Sequence, residues 1–242
     1  MTIEAKQRIE LCRRTQKENL YLHRCNIKNL SIIEDLTHLI ELNIESNVVT
    51  NITSLFGFTN LSILNIDYNH VSDISPLSKM INLKKLNIVH NLVANLLPLS
   101  QLINLTELNF SCNLIDDLAP LSQLNNVKIL HLDRNLIDDL TPLSQLINLT
   151  TLSLEKNLIQ NLAPLSQLVN LTTLSISQDF ICDITPLSKL VNLRTLYLSH
   201  DFTSDLAPLS QLSNLRIVYL LYKFFIAILH SLNVSLQRVG NV

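Results

Sequence analysis

The sequence is poor in glycine, cysteine and aromatic residues: its 242 residues include two glycines, four cysteines and no tryptophan. Because the glycines, Gly57 and Gly240, lie far apart, neither of the glycine-rich phosphate-binding motifs, GxGxxG or GxxxxGK followed by Ser or Thr, can form. Aromatic residues account for 5% of the chain and hydrophobic residues for 47%. This composition excludes the commonest nucleotide-binding motifs and predicts a core of leucine and isoleucine rather than of large rings.

Neither the net charge nor the hydropathy of the chain indicates a nucleic-acid or lipid partner. The net charge of −2 gives no electrostatic reason to expect nucleic acid or an anionic membrane. The longest apolar run near the C-terminus, FFIAIL at 224–229, is far shorter than the roughly 20 residues that cross a bilayer. The first sixteen residues carry charges throughout and lack the apolar run of a secretory signal. We therefore expect no membrane span and a cytoplasmic chain, although a chain whose signal had been removed would look the same.

A period of 22 residues organises nearly the whole chain. All seven prolines follow it: Pro76, Pro98, Pro120, Pro142, Pro164, Pro186 and Pro208. A second series in the same frame consists of Cys25, Asn47, Asn69, Asn91, Asn113, Asn135, Asn157, Asp179 and Asp201. An apolar triplet precedes each of these residues, so each repeat has the form LxxLxLxxN, or LxxLxLxxC at Cys25.

This motif resembles the leucine-rich repeat, and the following xIxDLxPLSxL resembles the 22-residue class found in internalins and in the nuclear regulatory subunit of protein phosphatase 1. The resemblance covers residues 17–223 as nine repeats and a degenerate tenth. It implies an α/β fold: a right-handed solenoid with a parallel sheet on its concave face and short helical or 3-10 turns on its convex face. We expect residues 1–16 to form an N-terminal capping helix that buries Ile3, Ile9 and Cys12, and residues 224–242 to form either a cap or a dimer contact.

Each position of the repeat has a predicted physical role. Alternation along a short strand buries the second and third residues of the apolar triplet and exposes the residue between them. The Cys25 to Asp201 series is expected to form a buried hydrogen-bonded ladder, because an amide offers both donors and an acceptor. The Asn that precedes each strand, Asn60 for example, is expected to bond the returning loop. The Asn or Asp four residues after the ladder position is expected to cap the turn at the proline.

Several side-chain groups have both a chemical and a structural interpretation. Asp116, Asp117, Asp138 and Asp139 form carboxylate pairs that could bind a metal, but Asp117 and Asp139 occupy the capping position, so we favour capping. Cys25, Cys112 and Cys182 lie in repeats too far apart for a disulfide, although Cys12 could reach Cys25. We favour reduced thiols, and the lack of CxxC argues against zinc. No catalytic set, metal site or cofactor site is predicted.

The predicted partner-binding surface lies on the exposed strand face. All five tyrosines and five of the seven histidines are expected there, among them Tyr21, His23, His70 and His90. The ladder changes to aspartate at Asp179 and Asp201, and the next residue changes from Leu to Phe, which marks the last repeats as unusual. The predicted contact residues are Tyr197, His200, Phe202, Tyr219, Tyr222, Phe180, His131 and Tyr68.

The sequence thus predicts a non-enzymatic scaffold that binds a protein partner through the concave face and adjoining rim, especially in the C-terminal repeats. Two alternatives stay open. Resemblance to internalins implies a secreted or surface adhesin of a pathogen, and the apolar C-terminal end is consistent with a self-associating protein that forms a homodimer.

Overall fold

A computed structural model of the chain describes residues 1–176, 181–198, 206–220 and 235–236. Helix α1 spans Ile3–Thr15 and is followed by a succession of short strands separated by 3-10 turns. The strands are β1 Asn19–Tyr21, β2 Glu41–Asn43, β3 Ile63–Asn65, β4 Lys85–Asn87, β5 Glu107–Asn109, β6 Ile129–His131, β7 Thr151–Ser153, β8 Thr173–Ile176, β9 Thr195–Leu198, β10 Ile217–Leu220 and β11 Ser235–Leu236. The 3-10 turns are Leu30–Ile33, Thr53–Leu55, Ser75–Lys79, Leu97–Leu99, Ala119–Leu121, Thr141–Gln145, Ala163–Gln167, Thr185–Lys189 and Ala207–Gln211.

All eleven described strands form one parallel sheet in chain order. Residues 22 apart are opposite each other from β1 to β10, so that Leu42 pairs with Leu64 and Leu64 with Leu86. The chain therefore returns to the same place one strand spacing further along after every 22-residue coil. This arrangement confirms the predicted solenoid, with the sheet on one face and the proline-containing 3-10 turns on the other.

The core is a continuous aliphatic column inside the coils. In the coil that contains β4, seven side chains are almost completely buried: Leu83, Leu86, Ile88, Val93, Leu96, Leu99 and Leu102. Only Phe58 and Phe110 are aromatic among the buried residues of the described chain. The predicted leucine-rich core is confirmed. Since each coil's apolar residues pack against the coils on either side, a single coil would leave much of that surface in water.

A buried asparagine ties each coil to the one before it. The Oδ1 atom of Asn113 accepts the N–H of Val93 at 2.9 Å, and its Nδ2 atom donates to the carbonyls of Ile88 at 2.7 Å and Phe110 at 3.0 Å. Val93 and Ile88 belong to the preceding coil. The same pair of inter-coil bonds occurs at Asn47, Asn69, Asn91, Asn113, Asn135 and Asn157.

Cys25 occupies the ladder position of the first coil, where no earlier coil needs a partner. Its backbone N–H donates to Oδ1 of Asn47 at 3.1 Å, while its thiol bonds locally to the carbonyl of His23 at 3.3 Å. The last two members of the predicted ladder, Asp179 and Asp201, lie outside the described residues.

Two further series of polar side chains support the turns. The Asn before each strand donates across the coils, as Asn104 does to the carbonyl of Ile81 at 2.8 Å. In the capping series, Asp117 accepts the N–H of Ala119 at 2.8 Å. The cross-coil donors are Asn60, Asn82, Asn104, Asn126, Asn148, Asn170, Asn192 and Asn214. The capping residues are Asn29, Asn51, Asp73, Asn95, Asp117, Asp139, Asn161 and Asp183.

Helix α1 covers the open end of the first coil. Thr2 caps the helix by accepting the N–H of Ala5 at 3.1 Å, and its own N–H donates to the carbonyl of Cys25 at 3.0 Å. Ala5, Ile9 and Cys12 are buried and lie on one stripe of the helix. The expected burial of Ile3 is wrong, because its side chain is off that stripe and 78% exposed.

The two cysteines at this end do not form a disulfide. The Cys12 thiol donates to the carbonyl of Lys17 at 3.2 Å, whereas the Cys25 thiol bonds within its own coil. None of the four cysteines forms a disulfide. Burial raises the pKa of the Cys12 thiol, so it stays protonated near neutral pH.

The end of the chain beyond β10 is described only by the backbone of β11, which lies parallel to β10 with Ser235 opposite Ile217. The predicted choice between a cap and a dimer contact for residues 224–242 therefore falls outside the described residues, apart from this strand.

We expect Asn113→Ala to lower the free energy of unfolding by about 3 kcal/mol, because it leaves buried N–H and C=O groups of two coils without partners. Asn126→Ala is the matched control: it removes one exposed bond, to the carbonyl of Ile103, and should cost less than about 1 kcal/mol. Urea denaturation followed by circular dichroism measures both. Equal losses in the two variants would show that the buried ladder does not hold the coils together.

Candidate functional site

The candidate site is the outward side of the parallel sheet, here called the sheet face. In β1 to β10 a buried leucine or valine lies between two residues that point to the other side of the sheet, as in β4, where Leu86 is buried between Lys85 and Asn87. The residue after the buried one is itself buried in β7 and β8, where it is Ser153 and Ser175. The outward residues that follow the buried one form a central column along the solenoid. The column contains Tyr21, Asn43, Asn65, Asn87, Asn109, His131, Ser153, Ser175, Tyr197 and Tyr219.

The middle of this column is polar and its two ends are aromatic. At the C-terminal end, Tyr197 and Tyr219 lie opposite each other on β9 and β10, and their rings stack with centroids 4.4 Å apart and an interplanar angle of 2°. Burial, followed by the neighbouring Tyr219 hydroxyl and the Glu155 carboxylate, raises the pKa of Tyr197. Two tyrosine rings are therefore placed side by side on neighbouring strands. His131 lies in the same column, half-buried on β6.

Several residues predicted for the strands lie beside them instead. Tyr68 and His90 follow β3 and β4 and adopt left-handed backbone conformations, with φ of 53° and 56°. Their rings stack across neighbouring coils with centroids 5.3 Å apart. His23 and His70 also lie beyond the strand ends. The strand prediction for these four is wrong, because the chain leaves the sheet within two residues in order to turn the ladder position inward.

The left-handed position recurs at the residue before each ladder residue from the first coil to the seventh. It is occupied by Arg24, Ser46, Tyr68, His90, Cys112, Arg134 and Lys156. Left-handed backbone costs a non-glycine residue roughly 1–2 kcal/mol. Five of the seven residues at this position nevertheless have large side chains, next to the strand ends at the rim of the sheet face. Of the other predicted contact residues, His200, Phe202, Tyr222 and Phe180 lie outside the described residues.

A row of carboxylates lies along the same rim, two residues beyond the central column. Asp133 accepts the N–H of Glu155 at 2.8 Å and the hydroxyls of Ser111 and Ser153. Asp67 accepts the N–H of Val89 at 2.6 Å. Partial burial raises the pKa of Asp67 to about 6, while the Val89 bond lowers it and the nearby Glu45 charge raises it further.

Two of the four carboxylates that could have indicated a metal, Asp117 and Asp139, cap turns. Asp139 accepts the N–H of Thr141 at 2.8 Å, and the Thr141 hydroxyl and N–H hold the pKa of Asp139 below its usual range. Within the described part of the chain, no group of three potential metal ligands is present. The same part contains no helix long and apolar enough to cross a membrane.

Comparisons with known proteins agree with this geometry. The family model described as Leucine Rich repeats (2 copies) matches residues 147–189. A search of curated protein sequences finds no match. Among solved structures, an internalin (InlF) of Listeria monocytogenes has a TM-score of 0.82 at 28% identity, and the alignment covers 93% of this chain and 67% of that one.

Two further structures are similar. Internalin C2 of Listeria monocytogenes has a TM-score of 0.71 at 30% identity, with 75% of this chain and 80% of that one covered. A leucine-rich-repeat protein of Leptospira interrogans has a TM-score of 0.74 at 28% identity, with 80% of this chain and 52% of that one covered. The chain belongs to the leucine-rich-repeat family, in its internalin-like class.

Asp67 should make stability depend on pH. Between its ordinary pKa of 3.8 and its folded pKa of about 6, the unfolded carboxyl loses its proton while the folded one keeps it. The Asp67 contribution to stability is therefore greatest at low pH and is lost as pH rises through about 6.

We expect the stability of the native protein relative to Asp67→Asn to fall between pH 4 and pH 7, since asparagine can still accept the Val89 N–H but does not ionise. Urea midpoints of both proteins across this range provide the test. Asp73→Asn, at an exposed capping position, controls for the loss of a carboxylate. Parallel pH profiles for the native protein and Asp67→Asn would contradict the assignment.

Proposed function

We propose that the protein is a non-enzymatic scaffold that binds a protein partner through the sheet face, with the Tyr197 and Tyr219 pair at the centre of the contact. The family supports the general role, because leucine-rich-repeat solenoids are protein-interaction scaffolds. The stacked tyrosines carry the more specific proposal. Each ring is half-buried and held by its neighbour, so binding would cost little additional side-chain ordering.

Tyrosine suits such a contact for a chemical reason. Its ring contributes apolar area and its hydroxyl a hydrogen bond, and aromatic residues are enriched among those that dominate binding energy at protein interfaces. The polar stretch between Asn43 and Asn109 lacks large apolar side chains in the central column. The C-terminal part of the sheet face is therefore the better-suited end for a partner.

The internalin-like class favours a second role, that of a surface or secreted adhesin. Four cysteines without a disulfide instead favour a reducing compartment, and a cytoplasmic location stays a prediction. Immunoblots of cytoplasmic, surface and medium fractions of the source organism distinguish these locations.

We expect the double variant Tyr197→Ala and Tyr219→Ala to lose the partner while keeping its fold, because both side chains lie on the outer side of the sheet. The native chain and the variant are immobilised and exposed to lysate and culture medium of the source organism. Bound proteins are compared by quantitative mass spectrometry.

The matched control is the double variant Phe56→Ala and Leu97→Ala, which removes two exposed apolar side chains next to or within the 3-10 turns on the opposite face. Proteins retained by the native chain and this control but lost by the tyrosine variant support the proposal. Identical retention by all three removes the tyrosine pair from the contact surface.

A further inference from the structure

The charges of the solenoid are segregated to opposite edges of the sheet. From residue 76 onward in the described chain, seven of the eight Asp and Glu residues lie between the end of a strand and the following 3-10 turn. Five of the nine Lys and Arg residues lie instead directly before a strand or at its first residue, and two more end 3-10 turns on the opposite face. The edge at which the chain enters the strands is therefore basic, although the whole chain carries a net charge of −2.

A groove of about 380 Å³ lies on this basic edge. It is lined by Lys128, Asn148, Thr150, Asn170, Thr172, Asn192 and Arg194. Lys128 and Arg194 immediately precede β6 and β9, and Arg216 occupies the same position before β10. All three are exposed, and none takes part in an ion pair with another residue of the described chain. The cations are thus available at the two ends of the groove.

The floor of the groove presents hydrogen-bond acceptors. The Thr150 hydroxyl donates to the carbonyl of Lys128 at 3.1 Å, and the Thr172 hydroxyl donates to that of Thr150 at 3.0 Å. The amide of Asn170 likewise donates to the carbonyl of Ile147 at 2.9 Å. The single hydroxyl donors of Thr150 and Thr172 are occupied within the solenoid, so their oxygens are left to accept bonds from a ligand, whereas the Asn170 amide offers its oxygen and its second N–H.

Aliphatic side chains accompany the groove. Ile147, Val169 and Val191 directly precede its three asparagines, and they are 52%, 42% and 50% exposed. The groove therefore has cations at its ends and acceptors on its floor, and exposed aliphatic residues directly precede its asparagines in the chain without lining it.

Resting on the proposed function, we infer that this groove binds an extended segment of the protein partner in which two acidic residues stand four positions apart with aliphatic residues between them. Lys128 and Arg194 are three coils apart, about 14 Å at a strand spacing of about 4.8 Å, and four residues of extended chain span the same length. Backbone N–H groups of the segment would donate to the groove's oxygens.

A phosphate polymer fits this site less well than an acidic peptide. Phosphate oxygens are acceptors and would face the acceptors of Thr150 and Thr172. Duplex DNA carries one charge per roughly 1.7 Å, which far exceeds the density of cations in the groove.

The probe is a fluorescein-labelled peptide containing Ser-Glu-Val-Ser-Val-Glu-Ser, and its binding to the intact chain is followed by fluorescence anisotropy at low salt. We expect Lys128→Glu with Arg194→Glu to weaken binding at least about tenfold, because both carboxylates then meet like charges. Lys79→Glu with Lys189→Glu, at exposed positions on the 3-10 face, makes the same change of net charge and should stay within about twofold of the native chain. Circular dichroism verifies that all variants are folded.

A peptide with glutamine in place of glutamate should bind at least about tenfold more weakly. Equal binding by the two charge-reversal variants overturns the inference. Tighter, groove-dependent binding of a single-stranded oligonucleotide also overturns it and identifies a nucleic-acid site. If the groove variants bind the peptide as the native chain does while partner capture still depends on Tyr197 and Tyr219, the groove alone is rejected. If peptide binding depends on the groove but partner capture does not depend on the tyrosines, the tyrosine contact alone is rejected.

Discussion

The whole structure depends on keeping each inward turn of the backbone hydrogen-bonded to the coil before it. Where the chain leaves the sheet and passes through the core, its N–H and C=O groups are cut off from water and must find partners inside the protein. The ladder asparagine provides both: the Oδ1 of Asn113 accepts from Val93 and its Nδ2 donates to Ile88. An aliphatic residue cannot do this, and an ionised aspartate cannot donate. The requirement explains why one amide recurs every 22 residues while neighbouring outward positions vary.

The periodic features could be predicted from the sequence because each follows from side-chain chemistry repeated in one register. The buried leucines, the asparagine ladder and the caps such as Asp117 all belong to this group. The backbone conformation at Tyr68 and His90 could not be predicted in the same way. No glycine or repeated residue type marks that left-handed position, and the sequence pattern records which side chains recur rather than their φ angles. Which side of α1 faces the first coil could not be predicted from the sequence either. The bond from the Thr2 N–H to the Cys25 carbonyl fixes the helix in an orientation that leaves Ile3 in solvent.

The placement of basic and acidic residues at opposite edges of the sheet also explains why the net charge of the chain is a poor guide to what it binds. Lys128, Arg194 and Arg216 share one edge, whereas Asp133 and Glu155 lie across the sheet, at the opposite ends of the strands. Solvent-exposed charges interact strongly only within about 10 Å at moderate salt. A partner that touches one edge therefore experiences the charge of that edge more than the net charge of −2. Composition alone averages the two edges, and only the fold shows that they are distinct.

The same geometry makes the aromatic pair a rigid feature. Neighbouring strands in a sheet are about 4.8 Å apart, so two tyrosines in one column are brought close to ring-stacking distance by the backbone itself. Tyr197 and Tyr219 meet this condition, with centroids 4.4 Å apart. Neither ring can turn freely without losing contact with the other, so the pair is ordered before a partner arrives. Tyr21, which is 43% exposed at the other end of the column, has no aromatic neighbour in the column because Asn43 faces it on β2. Residue type alone therefore does not distinguish these tyrosines; their position relative to the next coil does.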